Sequence, residues 1–109
     1  MPFIDFPAKK PITIFPGVHS AMDHSEHITY GYVLLEKSVK VPVHSHPNEQ
    51  WTFVLEGELE FTLENETKTM QPGMGVLIPA NVKHAAHAIT ECKLIDVFTP
   101  VREDYKAME

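Results

Sequence analysis

Hydrophobic and polar residues alternate in short runs along most of this chain. The cleanest run is 58 to 63, where Leu59, Phe61 and Leu63 take one face and Glu58, Glu60 and Thr62 the other. A period of two is the signature of a strand with one buried face. Residues 50 to 55 behave the same way: Gln50, Thr52 and Val54 share a face, and Trp51, Phe53 and Leu55 share its opposite. Tyr30 to Glu36 is partly apolar on both faces, as expected of a strand covered on two sides. Lys40 to His46 alternates again, and Val76 to Ile78, Ala85 to Ile89 and Lys93 to Thr99 add further short strands. Asn65-Glu66 marks a hairpin, and Pro72-Gly73 and Pro79-Ala80-Asn81 mark turns. Pro100 ends the last strand, because proline cannot continue a ladder. No long segment carries a 3.6-residue period, so the pattern predicts an all-β domain.

The flanks are less regular. Prolines at 2, 7, 11 and 16 predict an extended segment over residues 1 to 17, with 12 to 15 available as an edge strand. Ser20 to Thr29 is polar and reads as a loop. Residues 101 to 109 read as a tail or a single helical turn. If the Gln50 face points inward, the Trp51 face needs a cover, from the N-terminal segment or from a second subunit.

Composition narrows the class. At 109 residues the chain is expected to form one domain, residues 1 to 109, with a modest core that gains from a partner. The formal net charge is −6 and no Lys/Arg cluster occurs, which argues against nucleic-acid and anionic-membrane surfaces. The single cysteine, Cys92, precludes an internal disulfide and suits a reducing compartment. The first residues lack a basic stretch followed by an apolar run, so a cytoplasmic location is expected.

Chemistry concentrates between Val43 and Gly57. His44 and His46 are two apart, so in a strand both rings leave one face. Two imidazoles aimed into one space can hold a divalent transition metal. Gln50 follows a Pro-Asn-Glu step that can bend the strand and bring its amide oxygen to the same centre. Glu49 competes for that role, but strand parity favours Gln50. His84 supplies a third imidazole after the Pro79 turn. The predicted site is one divalent transition metal (Ni, Zn, Fe, Mn or Co) held by His44, His46, Gln50 and His84. With no anionic ligand the full ionic charge stays at the site, which favours carboxylate, enolate or α-keto oxygens.

Asp96 lies mid-strand on the face of Leu94 and Phe98. A carboxylate there needs a partner or a task. It either pairs structurally with a lysine, a histidine or Arg102, or acts as a general acid/base beside the metal. Phe98 reads as a pocket wall or plain core. Arg102 can fork onto a substrate carboxylate, or sit as a surface charge among Glu103 and Asp104.

These spacings resemble a known family. His44-x-His46, three residues, Gln50, six residues, Gly57 resembles the first cupin motif. Gly73, five residues, Pro79-x-Asn81-x-x-His84 resembles the second. The resemblance implies a jelly-roll barrel with a metal in its lumen. Departures are Ser38 and Asn81 where the motifs favour Gly, Gln50 for Glu, and Ala88 for a closing Asn. Within the cupins, His-Ser-His-Pro-x-Glu-Gln, Ile-Pro-Ala-Asn-Val-x-His and Asp-Val-Phe-x-Pro-x-Arg-Glu-Asp are similar to the KdgF pectin-degradation family. That resemblance implies linearisation of 4,5-unsaturated monouronates, with Asp96, Phe98 and Arg102 at the catalytic positions. Two other readings are open: an iron-dependent dioxygenase, and a non-catalytic barrel that binds metal and a small ligand. The expected partners are a small anionic substrate and a second copy of the chain. His19, His24, His27 and His87 are expected at the surface or behind the ligands.

Overall fold

The computed structural model describes residues 3–109. Ten strands form two antiparallel sheets. In chain order they are β1 (Ile12–Phe15), β2 (Val18–His24), β3 (Thr29–Leu35), β4 (Lys40–His44), β5 (Glu49–Glu56), β6 (Leu59–Leu63), β7 (Glu66–Met70), β8 (Gly75–Ile78), β9 (His84–Ala88) and β10 (Cys92–Thr99). A one-turn helix, α1 (Glu103–Lys106), follows. The six-stranded sheet runs β1-β2-β3-β10-β5-β8 and the four-stranded sheet β4-β9-β6-β7. They face each other as a jelly-roll sandwich, and among the described residues no ladder joins their edges, so the barrel expected from the motifs is not closed.

The alternation read from the chain sets the packing. Val54, Leu59 and Ile78 are fully buried between the sheets, with Val33, Leu35, Leu94 and Cys92 beside them. Outward partners stay exposed on the β5 side, where Trp51 and Phe53 are 52% and 42% exposed. Among the described residues the N-terminal segment does not cover that face: its Phe6 packs on Tyr30 instead, ring centroids 5.0 Å apart. A 3-10 turn, Phe6–Ala8, capped by Asp5, interrupts the extended run expected for residues 1 to 17. Met1 and Pro2 lie outside the described residues.

One polar stretch behaves differently from its reading. Val18–His24 is a strand, not part of a loop, and pairs with β3 along its length. Ser20 is buried on the face of Val18 and Met22, and Ala21 on the opposite face is buried too, so a polar residue lies inside and the apolar alternation is blurred there.

Backbone conformation explains the motif residues. Gly57 has φ +90°, and a Cβ there would lie 2.2 Å from the Glu91 carbonyl oxygen. Ser38 and Asn81, at positions where the motifs favour glycine, have φ +75° and +66°. An L-residue pays strain in this left-handed region. Ser38→Gly is therefore expected to stabilise the protein by about 0.5–1 kcal/mol, the relieved strain less the entropy of an unfolded glycine. A shift of the urea midpoint to higher concentration checks it.

Candidate metal centre and its cavity

A cavity of about 250 Å³ opens between the sheets. His44, His46 and His84 meet in its wall, with their possible ligand atoms all within 4.8 Å of one another. The four-stranded sheet supplies two of them directly: His44 on β4 is the register partner of His84 on β9, and their ring centroids are 4.2 Å apart. His46 lies just past β4. The Pro79–Asn81 turn holds that segment, because the Asn81 N–H donates to the His46 carbonyl at 2.8 Å.

Each imidazole is oriented by backbone. Nδ1–H donates to the carbonyl of Pro42 from His44 (2.8 Å), of Asn48 from His46 (3.0 Å) and of Val82 from His84 (2.9 Å). A neutral ring that donates through Nδ1 keeps a lone pair on Nε2. The Nε2 of His84 is buried and has no hydrogen-bond partner. Such an orphan needs an explanation, and a cation supplies one. Burial pushes the His84 pKa down to about 4, helped by the neighbouring rings and Arg102, so it is a neutral donor through mildly acid pH. Burial likewise lowers the His46 pKa.

Gln50 comes from the six-stranded sheet and is buried, while Glu49 is exposed. The Gln50 amide is fixed at its nitrogen: Nε2 donates to Thr52 Oγ1 at 2.8 Å, and Thr52 donates to Asp96 Oδ1 at 2.7 Å. Its oxygen then lies 2.9 Å from His46 Nε2. With Nδ1–H given to Asn48, a neutral His46 ring brings a lone pair to that contact, and either a second ring proton or a shared cation holds it together. The donor set and its geometry therefore fit a divalent transition metal.

Asp96 also lines the cavity. Burial raises its pKa to about 6, against the opposing hydrogen bonds of Thr52 and Gln50 and the charge of Arg102. Arg102 is buried, not a surface charge. Its guanidinium carbon lies 3.8 Å from the Tyr105 ring centroid and 4.8 Å from that of Phe98. Phe98 itself packs edge-on against His46. Thr52 and Tyr105 had no role in the sequence reading; the parity Thr52 shares with Gln50 was the signal for it.

The chain matches the Cupin_2 family of cupin domains over residues 31–98. It is a cupin. An RmlC-like cupin from Shewanella frigidimarina is similar over 96% of both chains, with 26% identity and a TM-score of 0.90. KdgF from Halomonas sp. covers 94% of this cupin and 98% of its own chain, at 24% identity and a TM-score of 0.89. The polyketide synthase CurC of Streptomyces cyaneus is 31% identical over 55 residues, half of this chain and 36% of that protein. This cupin thus spans about a third of that curated relative.

The other histidines sit apart from the cavity. His87 approaches Glu60 and His19 pairs with Glu36. The His24 side chain is well covered, not on an open loop: Nδ1 accepts from Thr29 Oγ1 at 2.8 Å and Nε2 faces Glu109 at 3.2 Å. Cys92 is buried, with its thiol on two backbone carbonyls and its pKa raised by burial, the environment of an inert side chain. Among the described residues no helix is long and apolar enough to cross a membrane.

The Thr52 hydroxyl is the hinge of the polar chain. Thr52→Val keeps the shape and removes both hydrogen bonds, freeing the Gln50 amide to turn its nitrogen inward. Metal affinity is expected to fall by about 10–100-fold, the usual loss for an outer partner of a ligand. Competition with a fluorescent chelator reads it, and Thr52→Ser should hold near wild type.

Proposed function

We propose that this cupin is a metal-dependent enzyme that opens the ring of a small anionic sugar acid, a 4,5-unsaturated monouronate. The observation that carries the reading is that three imidazoles, the Gln50 amide, Asp96 and Arg102 all line one cavity. Its similarity to KdgF and the Asp96-to-Asp104 sequence pattern support the same substrate.

A metal held by His44, His46, Gln50 and His84 would supply Lewis-acid polarisation of a substrate oxygen. Arg102 binds the carboxylate, and the Phe98 ring keeps water from that side. Asp96 takes the proton of the hemiacetal hydroxyl as the ring C–O bond breaks, leaving an aldehyde and an enolate. It then returns that same proton to C4 as the enolate becomes a ketone, so the reaction is an isomerisation with no atom lost. A carboxyl whose pKa lies near 6 is half-poised for both transfers close to neutrality.

Purified, metal-loaded protein is incubated with the unsaturated uronate and followed by its ultraviolet band and proton NMR. Rapid loss of the band with growth of the open-chain aldehyde signals is the expected result. A rate equal to that in buffer removes this substrate.

We also propose a homodimer through the Trp51 face. Trp51 is flanked by its register partners Leu77 and Val97, and Phe53 by Ile95, forming an apolar band on the outer side of the large sheet. Sedimentation velocity should report two chains, and Trp51→Glu should shift the protein to one. A wild-type monomer at the highest soluble concentration overturns it.

A further inference from the structure

Arg102 is anchored more heavily than a mobile substrate clamp needs. Its backbone N–H donates to the buried Thr29 hydroxyl at 2.8 Å. Its side chain meets two aromatic rings. One edge of the guanidinium is already filled: Nε–H donates to Asp104 Oδ1 at 2.9 Å and Nη2–H to Oδ2 at 2.7 Å. The Arg102 side chain is 10% exposed and that of Asp104 63%, so the carboxylate lies on the solvent side of the pair.

A guanidinium has five N–H donors and more than one carboxylate-binding edge. Asp104 uses two donors. The Nη1 hydrogens and the second Nη2 hydrogen are not used by Asp104, on a group that lines the cavity beside the Tyr105 side chain. Backbone anchor, rings and bidentate ion pair together leave the guanidinium few orientations. We propose that Asp104 is a positioning residue, which holds Arg102 by its solvent-side edge and so presents the remaining edge to a carboxylate in the cavity. The inference rests on the proposed role of Arg102 as the anion contact, not on the identity of the sugar.

The alternative has the opposite sign. If Asp104 merely occupied the fork, removing its charge would free Arg102 and strengthen anion binding. If it positions Arg102, removing it weakens binding. D-galacturonate, a stable uronate, is titrated into metal-loaded wild type, Asp104→Asn and Asp104→Glu, with neutral D-galactose as control. The loss of one charge-assisted bidentate pair predicts a Kd for galacturonate raised about tenfold in Asp104→Asn and near wild type in Asp104→Glu. Galactose binding should not change. With the unsaturated uronate as substrate, KM should rise and kcat hold, the signature of a group that orients binding.

In parallel, the Arg102 Nε–H signal is followed by nitrogen-15 NMR. It should exchange with water faster in Asp104→Asn, and in wild type it should shift on adding acetate. Equal or tighter anion binding by Asp104→Asn overturns the assignment, as does a wild-type Arg102 signal blind to any carboxylate. If neither uronate binds but acetate still moves Arg102 in an Asp104-dependent way, the sugar-acid reading fails and the positioning role stands.

Discussion

Asp96→Asn is expected to lower kcat on the unsaturated uronate by about 10²–10⁴-fold, the range that a positioned proton-transfer group contributes. The substitution is nearly isosteric, and the Thr52 hydroxyl can still donate to the amide oxygen, so the wall of the cavity is kept. Metal content, read by elemental analysis, should equal that of wild type. That pairing separates a catalytic carboxylate from a structural one: Asp96 has no basic side chain in hydrogen-bond or ion-pair contact among the described residues. Turnover within a few-fold of wild type at full metal loading would sink the assignment.

His84→Ala is expected to weaken metal binding by at least about 100-fold, more than the loss of an outer partner costs, because a ligand itself is removed. Measured metal stoichiometry after dialysis reads it. The same side chain makes the chelated protein sensitive to acid. The His84 pKa is about 4 in the fold and about 6.5 when unfolded, so the unfolded chain binds the extra proton between those values. Stability from this group therefore falls as pH drops from about 6.5 to about 4, and then levels off. Asp96 acts with the opposite sign. Its pKa is raised in the fold, so its contribution favours the folded state at low pH and is lost as pH rises toward 6. Wild type without metal should thus show a shallow profile across this window, and Asp96→Asn should expose the steeper His84 slope. Urea unfolding in the presence of chelator, at several pH values, checks both.

Parity was legible in the sequence because successive residues of a strand face opposite ways whatever it pairs with. That rule alone placed Gln50 inward and Glu49 outward, put Asp96 on the face of Leu94 and Phe98, and left Trp51 and Phe53 outside. The glycine-preferring motif positions were legible too, since Ser38 and Asn81 do take positive φ. Val18–His24 escaped the pattern because Ser20 is buried beside Val18 and Met22 while Ala21 is buried on the other face, and an apolar count cannot see a buried polar side chain.

Composition and spacing by themselves determined the all-β class, the cupin motifs and the set of side chains able to meet at one centre. Tertiary structure alone decided how they meet: His84 facing His44 across β4 and β9, Thr52 linking Gln50 to Asp96, and Arg102 drawn inward with Asp104 on its solvent edge. The reason is distance along the chain. Period-two alternation is a local property of the backbone, whereas the pairing of His44 with His84, the Thr52–Asp96 bond and the Arg102 backbone bond to Thr29 exist only once strand pairing and register have brought distant residues together.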